Sequence, residues 1–200
     1  MSKYDFTLRF TLPSAEIDME DVADRLYGGG CDDALVGIGY PGTIALDFTR
    51  EAVSAHEAVM SAIADVVGAI PESVLVEVAP DLVGVTDVSA LVGCSRQNIR
   101  QLMMSSANTP PAPVHVGKQS LWHLAPLLSW LAHEKQYSIG PTLLDLAATT
   151  MRVNTALDAL SVDPDTESEL RRLFASLRGA LAGSGLDEAD YRAHLAEKHR

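Results

Sequence analysis

Arg96, Gln97, Arg100 and Gln101 crowd into positions 96–101, and each ends in a flat, forked group able to donate two hydrogen bonds at once. The arginine fork matches a phosphate or the acceptor edge of guanine, and the glutamine amide matches the mixed edge of adenine. On a helix turning about 100° per residue, these four side chains and Met104 fall within one arc of about 140°. Ile99, Leu102 and Met103 fall on the opposite side and are free to pack. Ser95 and Asn98 stand near the start of that helix, where hydroxyl, amide and unpaired backbone N–H groups can hold a phosphate. The chemistry on offer is recognition by hydrogen bonding. The bland alternative is an ordinary solvated helix face.

Nothing else in the chain offers a competing reaction centre. Fourteen carboxylates lie between Asp5 and Glu77, so chance proximity of two is expected, and no Ser/His/Asp set stands out. His56 and Glu57 read as solvated or capping groups at a helix start. Cys31 and Cys94 lack a CxxC or histidine partner at ligand spacing, so no metal, cofactor or disulfide is expected. Gly28-Gly29-Gly30 follows a helix instead of joining a strand to one, which argues against a phosphate-cradling loop. The chain is read as a non-enzyme.

The elements around positions 95–104 must hold the polar arc outward. Residues 86–92 read as a short helix, Gly93-Cys94-Ser95 as a turn, and Ser95 as the cap of the next helix. Downstream, Val114 and Val116, a turn at Gly117-Lys118, then Leu121 and Trp122 have the form of a short hairpin. Lys118 and Gln119 at its tip would touch a nucleic-acid backbone or minor groove, or else form a plain polar tip. A helix over about 123–133 follows, with Leu127, Leu128, Trp130 and Leu131 as its apolar set; Trp122 and Trp130 are read as core residues. Residues 80–85 connect to the preceding part and supply a small strand.

The ordered series Val92-Gly93-Cys94-Ser95-Arg96-Gln97, Pro111-Ala112-Pro113-Val114, Gly117-Lys118, Leu121-Trp122 and Ser129-Trp130-Leu131 resembles the winged helix-turn-helix of the MerR and AlpA (excisionase-like) DNA-binding proteins. The resemblance spans about residues 82–133, a quarter of the chain. It implies double-stranded DNA as partner, with Ser95, Arg96, Gln97, Asn98, Arg100, Gln101, Lys118 and Gln119 as contacts. Such wings often carry more basic residues than the single Lys118 found here.

Upstream, Phe6, Leu8, Phe10 and Leu12 alternate with polar residues and read as a half-buried strand. Residues 18–27 read as a helix capped by Asp18, with Val22, Ala23 and Leu26 inward. Residues 35–40 and 43–49 are strands joined by Pro41-Gly42. Residues 54–70 are a helix with Val59, Ile63, Val66 and Ile70 on one face, and residues 73–78 a last strand. This β-α-β-β-α-β order predicts a ferredoxin-like sandwich over residues 1–80, an antiparallel sheet with two helices on one face. The expected class is α+β: that sandwich, a winged helix-turn-helix over 81–136, and a helical region over 137–200. In the last, Leu143, Leu146 and Leu157 form one apolar stripe, and further helices are expected over 166–181 and 187–198. These stripes, including Leu170 and Leu177, either complete a core or join two copies into a homodimer across residues 141–181.

Net charge is −12, unevenly placed. Residues 1–85 hold 4 Lys/Arg against 15 Asp/Glu, whereas residues 86–133 hold Arg96, Arg100 and Lys118 against Asp87 alone. Attraction to phosphate is short-ranged in physiological salt, so a local basic face works on an acidic protein, while the acidic bulk opposes indiscriminate binding. No run of 18 apolar residues or signal-peptide core occurs, so a membrane partner is not expected and the location is read as cytoplasmic. The leading reading is a sequence-specific DNA-binding protein of the bacterial transcription-regulator type, with a protein or small-molecule effector acting on its first domain. The alternatives are an excisionase-like DNA-architecture factor, or an antitoxin or adaptor that binds a protein through its acidic first domain.

Overall fold

A computed structural model describes residues 1–14, 16–104, 109–134 and 137–161. Its first part runs β1 (Ser2–Thr11), α1 (Met19–Gly28), β2 (Ala34–Ile38), β3 (Thr43–Ala52), α2 (Ala55–Ala69) and β4 (Val74–Ala79). The four strands form one antiparallel sheet in the order β2-β3-β1-β4. Alternation along β1 puts Tyr4, Phe6, Leu8 and Phe10 into the core, opposite Ile44, Leu46 and Phe48 of β3. Phe6 and Phe48 pair directly, their rings stacked 5.4 Å apart. The other sheet face is polar, with Arg9 bonded to Glu77, Thr7 to Asp47 and Thr49 to Asp5.

Each helix on the core face has a visible cause. Asp18 caps α1 by accepting from Glu20 N–H at 2.9 Å. Its inward stripe is Met19, Val22 and Leu26; Ala23, expected inward, is exposed because this narrow stripe is all that meets the sheet. Ser54 Oγ accepts from Glu57 N–H, and Glu57 Oε2 in turn accepts from Val53 N–H, a reciprocal cap that starts α2. Arg50 then pins the Gly30–Asp33 turn against β3 and α2. Its guanidinium donates to both oxygens of Asp33, to Asp65, Ser61 and the Gly30 carbonyl, and lies 4.9 Å from the Phe48 ring centre.

The second part runs β5 (Leu82–Val83), α3 (Val85–Leu91), α4 (Arg96–Met104), β6 (Trp122–His123), α5 (Leu124–Glu134) and α6 (Pro141–Ser161). Val83, Val88, Ile99, Leu124, Leu127, Leu128, Trp130, Leu131 and Ala147 make a second core. The architecture is α+β with an antiparallel sheet.

α6 belongs to both cores. Leu146 and Leu157 close the sheet's core as part of a third helix on that face, beside partly buried Val153, while Leu143, Leu144 and Ala147 pack with the second core. Polar bonds fix the seat. Asp145 accepts from Tyr4 Oη and Ala55 N–H, Thr150 donates to the Pro80 carbonyl, and Asn154 bonds both Val78 and Asp81. Of the two uses expected for this stripe, completing a core and joining two copies, the first is the one seen as far as Leu157. Leu170, Leu177 and the helices expected over 166–181 and 187–198 lie outside the described residues. No helix among the described residues is long and apolar enough to cross a membrane.

Candidate nucleic-acid interface

α3 begins at Gly84, whose N–H is accepted by Asp87 Oδ2 at 2.8 Å, and ends at Val92. Gly93 has φ +69°, a left-handed turn that brings Cys94 N–H onto the Ser89 carbonyl at 3.0 Å. Nothing lies within 4 Å of where a Cβ would stand, so glycine is used here for its backbone freedom alone. Ser95 Oγ then accepts from Asn98 N–H at 3.1 Å and starts α4.

The register of α4 follows from its one buried residue. Ile99 is wholly buried among α3 and α5 side chains, with Leu102 and Met103 half-buried beside it. Burying an isoleucine contributes roughly 2–3 kcal/mol, enough to decide which side of a nine-residue helix faces in. Arg96, Gln97, Arg100, Gln101 and Met104 are consequently all exposed, on the arc expected for them. Met104 is 84% exposed and extends the polar arc with a flexible apolar end.

Asn98 does not join them. It is half-buried, and its amide donates to the Tyr137 hydroxyl at 2.7 Å, tying α4 to the segment that leads into α6. Ser95 is exposed beside the helix start, its hydroxyl oxygen engaged as the cap.

The hairpin is smaller than its residues suggested. Val114 and Val116 are exposed, and the strand contact reduces to a single bridge between His115 and Leu121. Trp122 and His123 pair instead with Val83 and Leu82, so residues 82–83 close the unit from the other side. The reason is geometric. Trp122 Nε1 donates to the Pro111 carbonyl at 3.0 Å, which draws the proline-rich segment across the tryptophan. Lys118 and Gln119 are exposed in the loop between the bridged residues. A Cβ at Gly117 would come within 2.7 Å of His115 Nε2, the far end of an exposed side chain that can swing aside.

Asp81 completes the support. Its carboxylate, almost fully buried, accepts from Asn154 and bonds His123 Nδ1 at 2.8 Å, and its carbonyl accepts from Leu124 N–H. One residue thereby holds the start of α5, the short β5–β6 pair and α6. Periodicity could not reveal Asp81, His123, Asn154 or Tyr137, because each is polar and none falls in a repeating pattern. A lone acid between Pro80 and an apolar Leu82-Val83 is the only hint. Among the described residues, no three His, Cys, Asp or Glu side chains gather as a metal ion would need.

The unit thus presents two arginines, three glutamines and one lysine to solvent, opposed within residues 86–133 only by Asp87, which faces the α3 N-terminus. Such a surface can bind an anion with forked acceptors. No protein-family model, no curated protein and no solved structure matches this chain.

Proposed function

We propose that this protein binds double-stranded DNA sequence-specifically, as a bacterial-type transcription regulator, with α4 as the reading helix. The observation that carries the reading is the rotation of α4: Ile99 is buried, and Arg96, Gln97, Arg100 and Gln101 all point to solvent. A helix of this kind, set after a short helix and a tight turn, enters the major groove with its first turns toward the base edges. Lys118 and Gln119 would reach the flanking backbone, as in the winged proteins that residues 82–133 resemble. The strand order β2-β3-β1-β4 fits a ferredoxin-like sandwich for the first part, serving as sensor or partner-binding module. A cytoplasmic location and an effector at that module belong to the same proposal. A pair of readers on one duplex would contact two half-sites a whole number of turns apart, which compensates for the sparse charge on each.

The adaptor reading draws support from the 15 acidic residues of positions 1–85. A protein that co-purifies in fixed ratio, with no DNA sequence enriched, would favour it.

Selection of bound duplexes from random DNA tests the leading reading. On the selected site Arg100→Ala is expected to cost about 1–3 kcal/mol, the worth of one forked base contact. Lys118→Ala is expected to weaken all sequences alike and to lower the salt slope by about 0.9. Equal binding by the wild type and a folded Arg96→Ala/Arg100→Ala variant would overturn the assignment.

A further inference from the structure

The two edges of the four-stranded sheet are treated differently. β4 is closed by α6: the Asn154 carboxamide accepts from Val78 N–H and donates to Val78 O, both at 2.8 Å, in the manner of a neighbouring strand. β2 has β3 on one side and, among the described residues, no strand on the other. Antiparallel alternation identifies the groups left over. Asp33 O accepts from Thr49 N–H and Gly39 N–H donates to Thr43 O, so odd-numbered residues turn toward β3. Val36 and Ile38 therefore aim both backbone groups outward, and Ala34 its carbonyl. Exposed edges are ordinarily guarded by lysine, proline, charge or a covering loop. Residues 34–40 read Ala-Leu-Val-Gly-Ile-Gly-Tyr, with neither charge nor proline, and Leu35 is 76% and Val36 37% exposed.

We propose that β2 pairs antiparallel with β2 of a second copy of this chain, about a two-fold axis at Val36, merging two sheets into one. That axis makes the Val36 N–H and C=O bond their own symmetry mates and sets Ala34 O against Ile38 N–H twice. It also places Leu35 across from Gly37 of the partner subunit, so each leucine lies beside a position without a side chain. The self-matching register, which sets Leu35 against Gly37 of the partner subunit twice, favours a second copy over a strand of other origin, and the acidity of the module keeps that pairing weak. The acidic groups nearest the strand are Asp32 and Asp33 at one end and Asp47, which pairs with Leu35 from β3; the antiparallel axis carries Asp32 and Asp33 to opposite ends and leaves Asp47 and its mate three strand spacings apart, about 14 Å or more. Asp33 and its mate would then lie six residues apart along the ladder, about 20 Å, well beyond the Debye length of about 8 Å. One strand from each side is a small contact, so the dimer belongs to the weak, concentration-dependent class. It uses none of α4 and stands independently of the DNA reading.

Sedimentation velocity of the full chain without DNA, from low to high micromolar concentration, tests the pairing. The wild type is expected to pass from monomer to dimer. Leu35→Lys/Gly37→Lys puts like charges across the axis in two places and should weaken association about tenfold or more. Leu35→Lys/Gly37→Glu puts opposite charges at the same two places and should restore it. Position 35 is exposed, and a Cβ at position 37 meets nothing nearer than the Ala45 carbonyl at 3.6 Å, so both variants should keep the wild-type circular dichroism. A wild type monomeric throughout, with or without capture of a foreign strand, overturns the proposal. So does a dimer indifferent to the first variant, or one that the second fails to restore.

Discussion

Asn98 and Tyr137 show why residue type alone misleads about role. Asn98 lies two positions from Arg96 and Arg100 and has a suitable amide, yet its side chain donates inward to Tyr137. Removing either end should therefore cost stability and leave the outer face intact. Asn98→Ala and Tyr137→Phe are each expected to lower unfolding free energy by about 1 kcal/mol, and the double variant to lose less than their sum. Denaturant titration of the four proteins measures the coupling, and DNA affinity should change little. Cys31 makes a second residue-scale case. Burial, with Asp65 nearby, pushes its thiol up to about 12. A thiol in the unfolded chain ionises near 8.5, so the folded form holds its proton longer. The resulting stability is fully present below about pH 8.5 and is lost as pH rises toward 12, at up to roughly 1.4 kcal/mol per pH unit. Tyr4, raised by burial and then by the Asp145 carboxylate, adds in the same direction at higher pH. Urea titrations between pH 8 and 11 should show this decline, and Cys31→Ala should flatten its first part. An unchanged slope would remove Cys31 as its cause.

At the scale of elements, strands and caps were legible because their causes are local. Alternation over positions 5–12 announces β1, and the spacing Val59, Ile63, Val66, Ile70 announces α2, whose four residues are all buried. Ser95 and Gly93 announce the turn before α4 by chemistry that needs no tertiary context, a hydroxyl cap and a positive φ. The expected hairpin was partly legible: Gly117 and the Leu121 contact are there, but the long-range bond from Trp122 to Pro111 reshapes the rest. Local causes also make clean tests. Gly93→Ala meets no steric neighbour, so its cost should be the left-handed penalty alone, about 1–2 kcal/mol. A much larger loss of thermal stability would mean that the turn is strained by something other than backbone conformation.

For the molecule as a whole, α6 was the least legible part, because an apolar stripe does not say whether it meets its own chain or another copy. Here it meets two cores at once. Those cores should consequently unfold together. Both tryptophans belong to the second core, and Cys31 to the first. Tryptophan fluorescence and Cys31 accessibility should give coincident denaturation midpoints, the signature of one cooperative transition. Asn154→Ala, which removes the partner of both Val78 backbone groups and of Asp81 Oδ2, should lower both midpoints together. Two separate transitions in the wild type would show that α6 does not couple the cores.

The seating of α6 also sets a timetable. Tyr4 and Asp145 are 141 positions apart, and Val78 and Asn154 are 76. A ribosome adds roughly 5–20 residues each second and releases the amino-terminal part first. The residues of the sheet and of α3–α4 are thus made several seconds before those of the helix that seals them. During that interval the β4 edge is open and Asp81 lacks Asn154, so the nascent chain is at its most adhesive midway through its own synthesis.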